Sequence, residues 1–145
     1  MRRLMIMVIA LAVLALPAAV SAGGRPFVVP LTGAAERPGP GDPDGSGTAW
    51  LWLNYGQMEI CYEIFVESVS LPAVGAHIHE APVTDPGPVV VPLNNPDATG
   101  RASGCVEVAN AELLKDILQN PQDYYVNVHT LPGFAAGAVR GQLSK

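Results

Sequence analysis

The chain has 145 residues, 8 Lys and Arg against 13 Asp and Glu, a formal net charge of -5, 3 histidines and 2 cysteines. That acidic balance argues against nucleic acid or an anionic membrane as partner, since both select basic surface. Glycine (15) and proline (14) make up about a fifth of the residues, below the level that marks a disordered chain.

The first 22 residues read as an export signal. Arg2 and Arg3 give a basic start, Leu4 to Leu16 is an unbroken apolar run, and Val20-Ser21-Ala22 supplies small residues for cleavage. A run of 13 apolar residues is short for a membrane span, which needs about 20, and no second such run follows. The expectation is a signal peptide over 1–22 and one domain over 23–145, secreted or periplasmic, with no membrane span after cleavage. With two basic residues removed, the mature net charge falls to about -7.

Phe27 to Leu31 is a short apolar strand candidate, followed by Thr32-Gly33-Ala34-Ala35-Glu36-Arg37-Pro38 and a stretch rich in turn formers, Gly39 to Gly47. Asp42-Pro43-Asp44-Gly45-Ser46-Gly47 superficially suggests a calcium loop. On the EF-hand spacing, however, Leu53 falls where a bidentate Glu is required, so a plain loop is expected. Thr48 to Tyr55 sets Trp50 and Trp52 on one face and Ala49, Leu51 and Leu53 on the other. This pattern fits a strand buried on both sides; the functional alternative is a tryptophan pair that stacks on sugar or peptide. A turn at Asn54 to Gln57 leads into Met58 to Val66, giving a hairpin.

Cys61 shares a strand face with Glu59 and Glu63, and Cys105 in Ser103 to Val108 shares one with Glu107. Both thiols thus point to the polar sides of their strands. In an exported chain this predicts a disulfide between neighbouring strands, and no C-x-x-C spacing favours a redox or metal role instead.

Gly75-Ala76-His77-Ile78-His79-Glu80 holds two of the three histidines, two residues apart. In a strand such residues face the same way, roughly 6.5 to 7 Å apart. After a Pro/Gly-rich loop, Ala81 to Pro88, comes a short strand at Val89 to Leu93 and another over Ala98 to Val108. The period then changes: Asn110 can cap a short helix through Gln119, with Leu113, Leu114, Ile117 and Leu118 at helical spacing and Pro121 beyond its end. Tyr124 to Thr130 returns to period two and carries the third histidine, His129. A closing strand runs over Gly137 to Leu143. Short strands with Gly/Pro turns and one helix predict an all-β antiparallel Greek-key sandwich or barrel.

Leu31-Thr32-Gly33-Ala34-Ala35-Glu36, Ala76-His77-Ile78-His79, Tyr125-Val126-Asn127-Val128-His129-Thr130 and Val139-Arg140-Gly141-Gln142-Leu143 occur in an order that resembles the CHRD domain family. This is the repeated domain of the developmental regulator chordin, which also occurs as single-domain secreted microbial proteins. One departure is Pro38-Gly39-Pro40, where a double proline often follows the first motif. The resemblance implies a secreted all-β domain and says little about chemistry. A looser resemblance, carried by His77-Ile78-His79-Glu80, is to copper/zinc superoxide dismutase. That enzyme's full metal constellation needs more histidines than the three present, so a shared architecture is implied without the dismutase activity.

Two readings of the histidines stay open. His77, His79 and His129 can bind one copper or zinc ion with an open position, or hydrogen-bond backbone and nearby polar groups such as Asn127 or Thr130 and brace the sheet. Arg140 and Gln142 share a strand face and can pair with a carboxylate such as Glu36 or Glu80, or present a fork to a ligand. No Gly-x-Ser-x-Gly elbow and no glycine-rich phosphate loop beside a Lys is present, so no enzyme is expected. The sequence therefore reads as a secreted binding or structural module whose partner, a protein or another extracellular ligand, it does not name. The alternative is a histidine-ligated metal protein.

Overall fold

The structure, a computed structural model, describes residues 23–145; the expected export segment, 1–22, lies outside them. Eight strands run antiparallel to their neighbours: β1 (Arg25–Thr32), β2 (Ser46–Asn54), β3 (Glu59–Glu67), β4 (Gly75–Glu80), β5 (Val89–Pro92), β6 (Arg101–Glu107), β7 (Tyr124–Thr130) and β8 (Phe134–Gln142). One helix, α1 (Ala111–Gln119), and two short 3-10 turns, Gly33–Ala35 and Pro121–Asp123, complete the described residues. No helix among the described residues is long and apolar enough to cross a membrane.

The strands form one sheet in the order β5-β4-β7-β8-β1-β2-β3-β6, rolled into a half-barrel. The expected all-β antiparallel class holds, but the two halves of a sandwich are fused here. β1 pairs with β2 along its whole length and touches β8 at a single register pair, Thr32 with Arg140. That narrow seam joins a β5-β4-β7-β8 half to a β1-β2-β3-β6 half.

Alternation along each strand decides which face is dry. Phe27, Val29 and Leu31 of β1, Leu51 and Leu53 of β2, Ile60, Tyr62, Ile64 and Val66 of β3, Ile78 of β4 and Val126 and Val128 of β7 are buried in one cluster. Each such side chain contributes on the order of 2 kcal/mol by leaving water. The helix adds Leu114 and Ile117 to that core. It begins where Asn110, as its N-cap, accepts hydrogen bonds through Oδ1 from the backbone N–H of Glu112 (3.1 Å) and Leu113 (3.3 Å).

The hairpin expected between β2 and β3 forms, pairing Asn54 with Glu59. Met58 takes the left-handed conformation (φ 55°) in its turn, and Asn54 Oδ1 accepts from the Gln57 N–H at 3.1 Å. Cys61 and Cys105 stand directly opposite each other across β3 and β6 and are bridged. The stretch that resembled a calcium loop is a turn. Its Asp42 N–H donates to Ala138 O (2.8 Å) and its Gly45 N–H to Asp42 O (3.1 Å).

Two expectations are corrected. The final strand starts at Phe134 rather than Gly137, because Thr130 pairs with Phe134 across a tight connection and the presumed loop is shorter. Trp50 and Trp52 are not core residues: Ala49, Leu51 and Leu53 fill the dry face of β2, so both indoles stand half-buried on the outer one.

Candidate metal centre

The alternation that aims Ala76 and Ile78 at the core turns His77 and His79 to the opposite face of β4. On β7, Val126 and Val128 take the core side, so Tyr125, Asn127 and His129 share the face of the β4 histidines. Register completes the arrangement: Gly75 pairs with His129, His77 with Asn127 and His79 with Tyr125. The His77 ring lies 5.4 Å from that of His79 and 5.1 Å from that of His129, and His79 and His129 are 6.2 Å apart, centroid to centroid. One donor nitrogen from each ring lies within 4.8 Å of the other two. Gly75 makes room for this. A Cβ there would sit 3.0 Å from His77 Cε1 and 3.1 Å from His129 Cδ2, tighter than side chains normally pack.

The tautomers are set by backbone carbonyls, which only accept. His79 Nδ1 donates to Gly87 O at 2.8 Å, and His129 Nδ1 donates to Ala135 O at 3.0 Å. In each neutral ring this arrangement leaves the lone pair on Nε2. Among the described residues both of those nitrogens are buried without a hydrogen-bond partner, as is Nδ1 of His77. Burial, helped by repulsion from His129 and His79, lowers the His77 pKa to about 4. The His79 pKa is also lowered, chiefly by burial. Both rings are thus neutral at pH 7 and can act as σ-donors. An imidazole whose other N–H is fixed by a carbonyl is the usual form of a metal-ligating histidine.

The wall behind His79 is a stack. The Tyr125 ring lies parallel to His79 at 4.8 Å, with 9° between the planes, and the Arg140 guanidinium sits 3.4 Å from the Tyr125 centroid. The two cannot share one face of Tyr125 at those separations, so the phenol ring is held between them. Arg140 is 1 % exposed. It donates from Nη1 to Asp85 O (2.9 Å) and from Nη2 to Pro82 O (2.9 Å) and Gln142 Oε1 (3.1 Å). Gln142 Nε2 donates to Ala81 O (2.8 Å) and Gln122 O (2.7 Å). The Gly87 N–H donates to the Tyr125 hydroxyl at 3.1 Å. The Arg140 and Gln142 pair, which the sequence offered as a ligand fork, thus pins the carbonyls of the 81–88 loop beside the histidines.

Glu36, named in the sequence only as a partner for Arg140, is 3 % exposed. Its carboxyl packs on Gly137, where φ is 147° and an added Cβ would fall 2.4 Å from Glu36 Cδ. Burial outweighs the nearby Arg140 charge and raises its pKa to about 7. The Asn127 side chain is near enough to both groups to lower the pKa of this carboxyl and raise that of His79. Two members of the site were missed in the sequence, Tyr125 and the room made by Gly75, whereas Asn127 was named there as a polar neighbour of the imidazoles. The alternation of β7, read together with its pairing to β4, was the signal that could have found them.

Trp50 and Trp52 lie elsewhere, on β2, separated from β7 in the sheet by β8 and β1. A second cluster of potential ligands, Glu59 with Cys61 and Cys105, is closed to metal because its sulfurs are bonded to each other.

A family model described as CHRD domain matches residues 27–143 of the chain. No curated protein and no solved structure matches it.

Proposed function

The chain belongs to the CHRD domain family, and we propose that it is an exported binding module that holds one copper or zinc ion on His77, His79 and His129. Export is read from the basic and apolar start over 1–22, which leaves 23–145 as the working domain, and from the Cys61–Cys105 bridge, which suits an oxidising compartment.

The observation that carries the metal reading is the set of three convergent imidazole nitrogens, each buried and each without a hydrogen-bond partner among the described residues. Histidines that merely brace a sheet would direct those nitrogens at donors, since a buried polar atom left alone costs about 1–3 kcal/mol. Two of the rings already place their Nδ1–H on carbonyls, which leaves Nε2 for coordination. Metal–nitrogen bonds of about 2.0–2.1 Å with tetrahedral angles put the donors roughly 3.4 Å apart. The present donor separations are within 4.8 Å. The all-imidazole donor set suits copper and zinc over calcium or magnesium, which take oxygen. Arg140 is cationic, and Glu36 is not among the residues whose ligand atoms converge there.

The test is metal content after dialysis against a weak chelator and reloading with copper or zinc, on the natural protein and on His79→Ala. Near-stoichiometric metal on the first and loss on the second is the expected result. Equal retention by both, or retention by neither, rejects the site and leaves the imidazoles architectural.

A further inference from the structure

A different part of the molecule carries a second site, and it does not rest on the metal reading. On the outer face of the β1-β2-β3-β6 half, the register sets side chains in rows. Val28, Trp50, Glu63 and Ser103 lie side by side across four strands. Thr48, Phe65 and Arg101 form the row on one side, and Trp52 with the Cys61–Cys105 bridge the row on the other. Both tryptophans of the chain are on this face, half-buried, and Val28 beside them is 59 % exposed. A groove of about 340 Å³ opens here, lined in part by Trp50, Glu63, Asp97, Arg101 and Ser103.

The polar groups around the indole are held in place. The Arg101 guanidinium rests 4.6 Å from the centre of the Phe65 ring. Asp97 Oδ1 accepts from the Thr99 N–H (2.7 Å) and hydroxyl (2.6 Å), which fixes the turn that forms one wall. The disulfide ties edge strand β6 to β3 on this face.

We propose that this face binds a neutral oligosaccharide, with Trp50 as the platform for a pyranose ring. A sugar ring presents C–H groups on its faces and hydroxyls around its edge. Such a ring needs one apolar plane with donors and acceptors at the rim, and here an indole is flanked by two carboxylates, a guanidinium and a hydroxyl. A protein partner would call for a contiguous apolar patch, whereas on this face charged groups interrupt the aromatic ones. A nucleic-acid base can stack on tryptophan, but its phosphates would meet Glu63 and Asp97 and little basic surface. The same carboxylates disfavour a polyuronate.

The test titrates the full exported chain with cellopentaose, xylopentaose, chitopentaose and mannopentaose, and follows tryptophan emission, which reports only from this face. Polygalacturonate and oligo-dT serve as acidic comparisons. The expected result is a saturable emission change with at least one neutral pentasaccharide. Calorimetry should show binding at least tenfold weaker in Trp50→Ala, partly restored in Trp50→Phe, weakened in the exposed variant Glu63→Gln, and unchanged in His79→Ala. No response to any neutral sugar, preference for an acidic polymer, or undiminished binding in both Trp50→Ala and Glu63→Gln overturns the proposal. Loss of metal in His79→Ala with sugar binding intact separates this site from the histidine centre.

Discussion

Thermal unfolding of the natural protein and of His129→Ala, each with and without zinc or copper, separates coordination from bracing. In the metal-free protein, His129 contributes one hydrogen bond, from Nδ1 to Ala135 O at 3.0 Å, worth about 1 kcal/mol. Against this stands its Nε2, buried without a partner among the described residues, which costs a similar amount. Replacement by alanine removes both, so the metal-free melting temperature should move by only a few degrees. Metal acts through linkage: at a free concentration 100 times Kd, binding to the folded state alone adds about 2.7 kcal/mol. For a domain of this size that raises Tm by roughly 10 °C. The natural protein should show this shift and His129→Ala should show almost none, measured by calorimetry in a buffer that does not coordinate metal. A large loss of metal-free stability in the variant, with no metal-dependent shift in the natural protein, would refute the reasoning and assign the ring to sheet bracing.

Glu36 and His77 should oppose each other as pH changes. The folded-state pKa of Glu36 is raised from 4.5 to about 7, so its contribution is intact below about 4.5 and is lost as pH climbs through about 7. His77 is lowered from 6.5 to about 4, so its neutral burial favours the fold above about 6.5 and ceases to as pH falls towards 4. Urea unfolding of Glu36→Gln should therefore show a gain over the natural protein at pH 8 that exceeds the gain at pH 4.5, by up to about 3 kcal/mol; an equal difference at both pH values would contradict the assignment. Arg140→Lys loses the planar stack on Tyr125 and the fork to Asp85 O and Pro82 O, and should destabilise by about 2–4 kcal/mol. Hydrogen exchange should locate the effect at the Gly87 amide and its loop. Reducing the Cys61–Cys105 bridge reopens a separation of 44 residues and should lower stability by up to about 4 kcal/mol in chemical denaturation.

What was legible in the sequence was whatever period two alone decides. The His77 and His79 pair, the core role of Ile78 and its neighbours, and the outward thiols of Cys61 and Cys105 follow from alternation. The helix followed from a change of period with Asn110 before it and Pro121 after it. The order of strands was not legible, because pairing is non-local. Nothing in Thr32 or Arg140 announces that β1 and β8 meet there and turn two half-sheets into one. The tryptophans were misread for a related reason. A strand apolar on both faces looks doubly covered, yet cover requires a second layer, and none of the strands turned its core face to Trp50.

The same non-locality explains why the candidate site was half visible. Sequence spacing brings two imidazoles together but is silent about the third, since His129 reaches them only through the pairing of Gly75 with His129. Once that pairing is given, the other assignments follow by register. Tyr125 must lie beside His79 and Asn127 beside His77, and Arg140 lies beside Asn127 on the next strand. The polar residues of β4, β7 and β8 thus form one layer on the face away from the core. Their neighbours decide what that layer can do: the 81–88 loop is tied down by Arg140, Gln142 and Tyr125, which shields His79 and fixes its tautomer through Gly87 O. A bracing layer would satisfy its own donors and acceptors. Among the described residues this one leaves one imidazole nitrogen of each ring buried without a partner, and in the proposed site a single cation takes up all three.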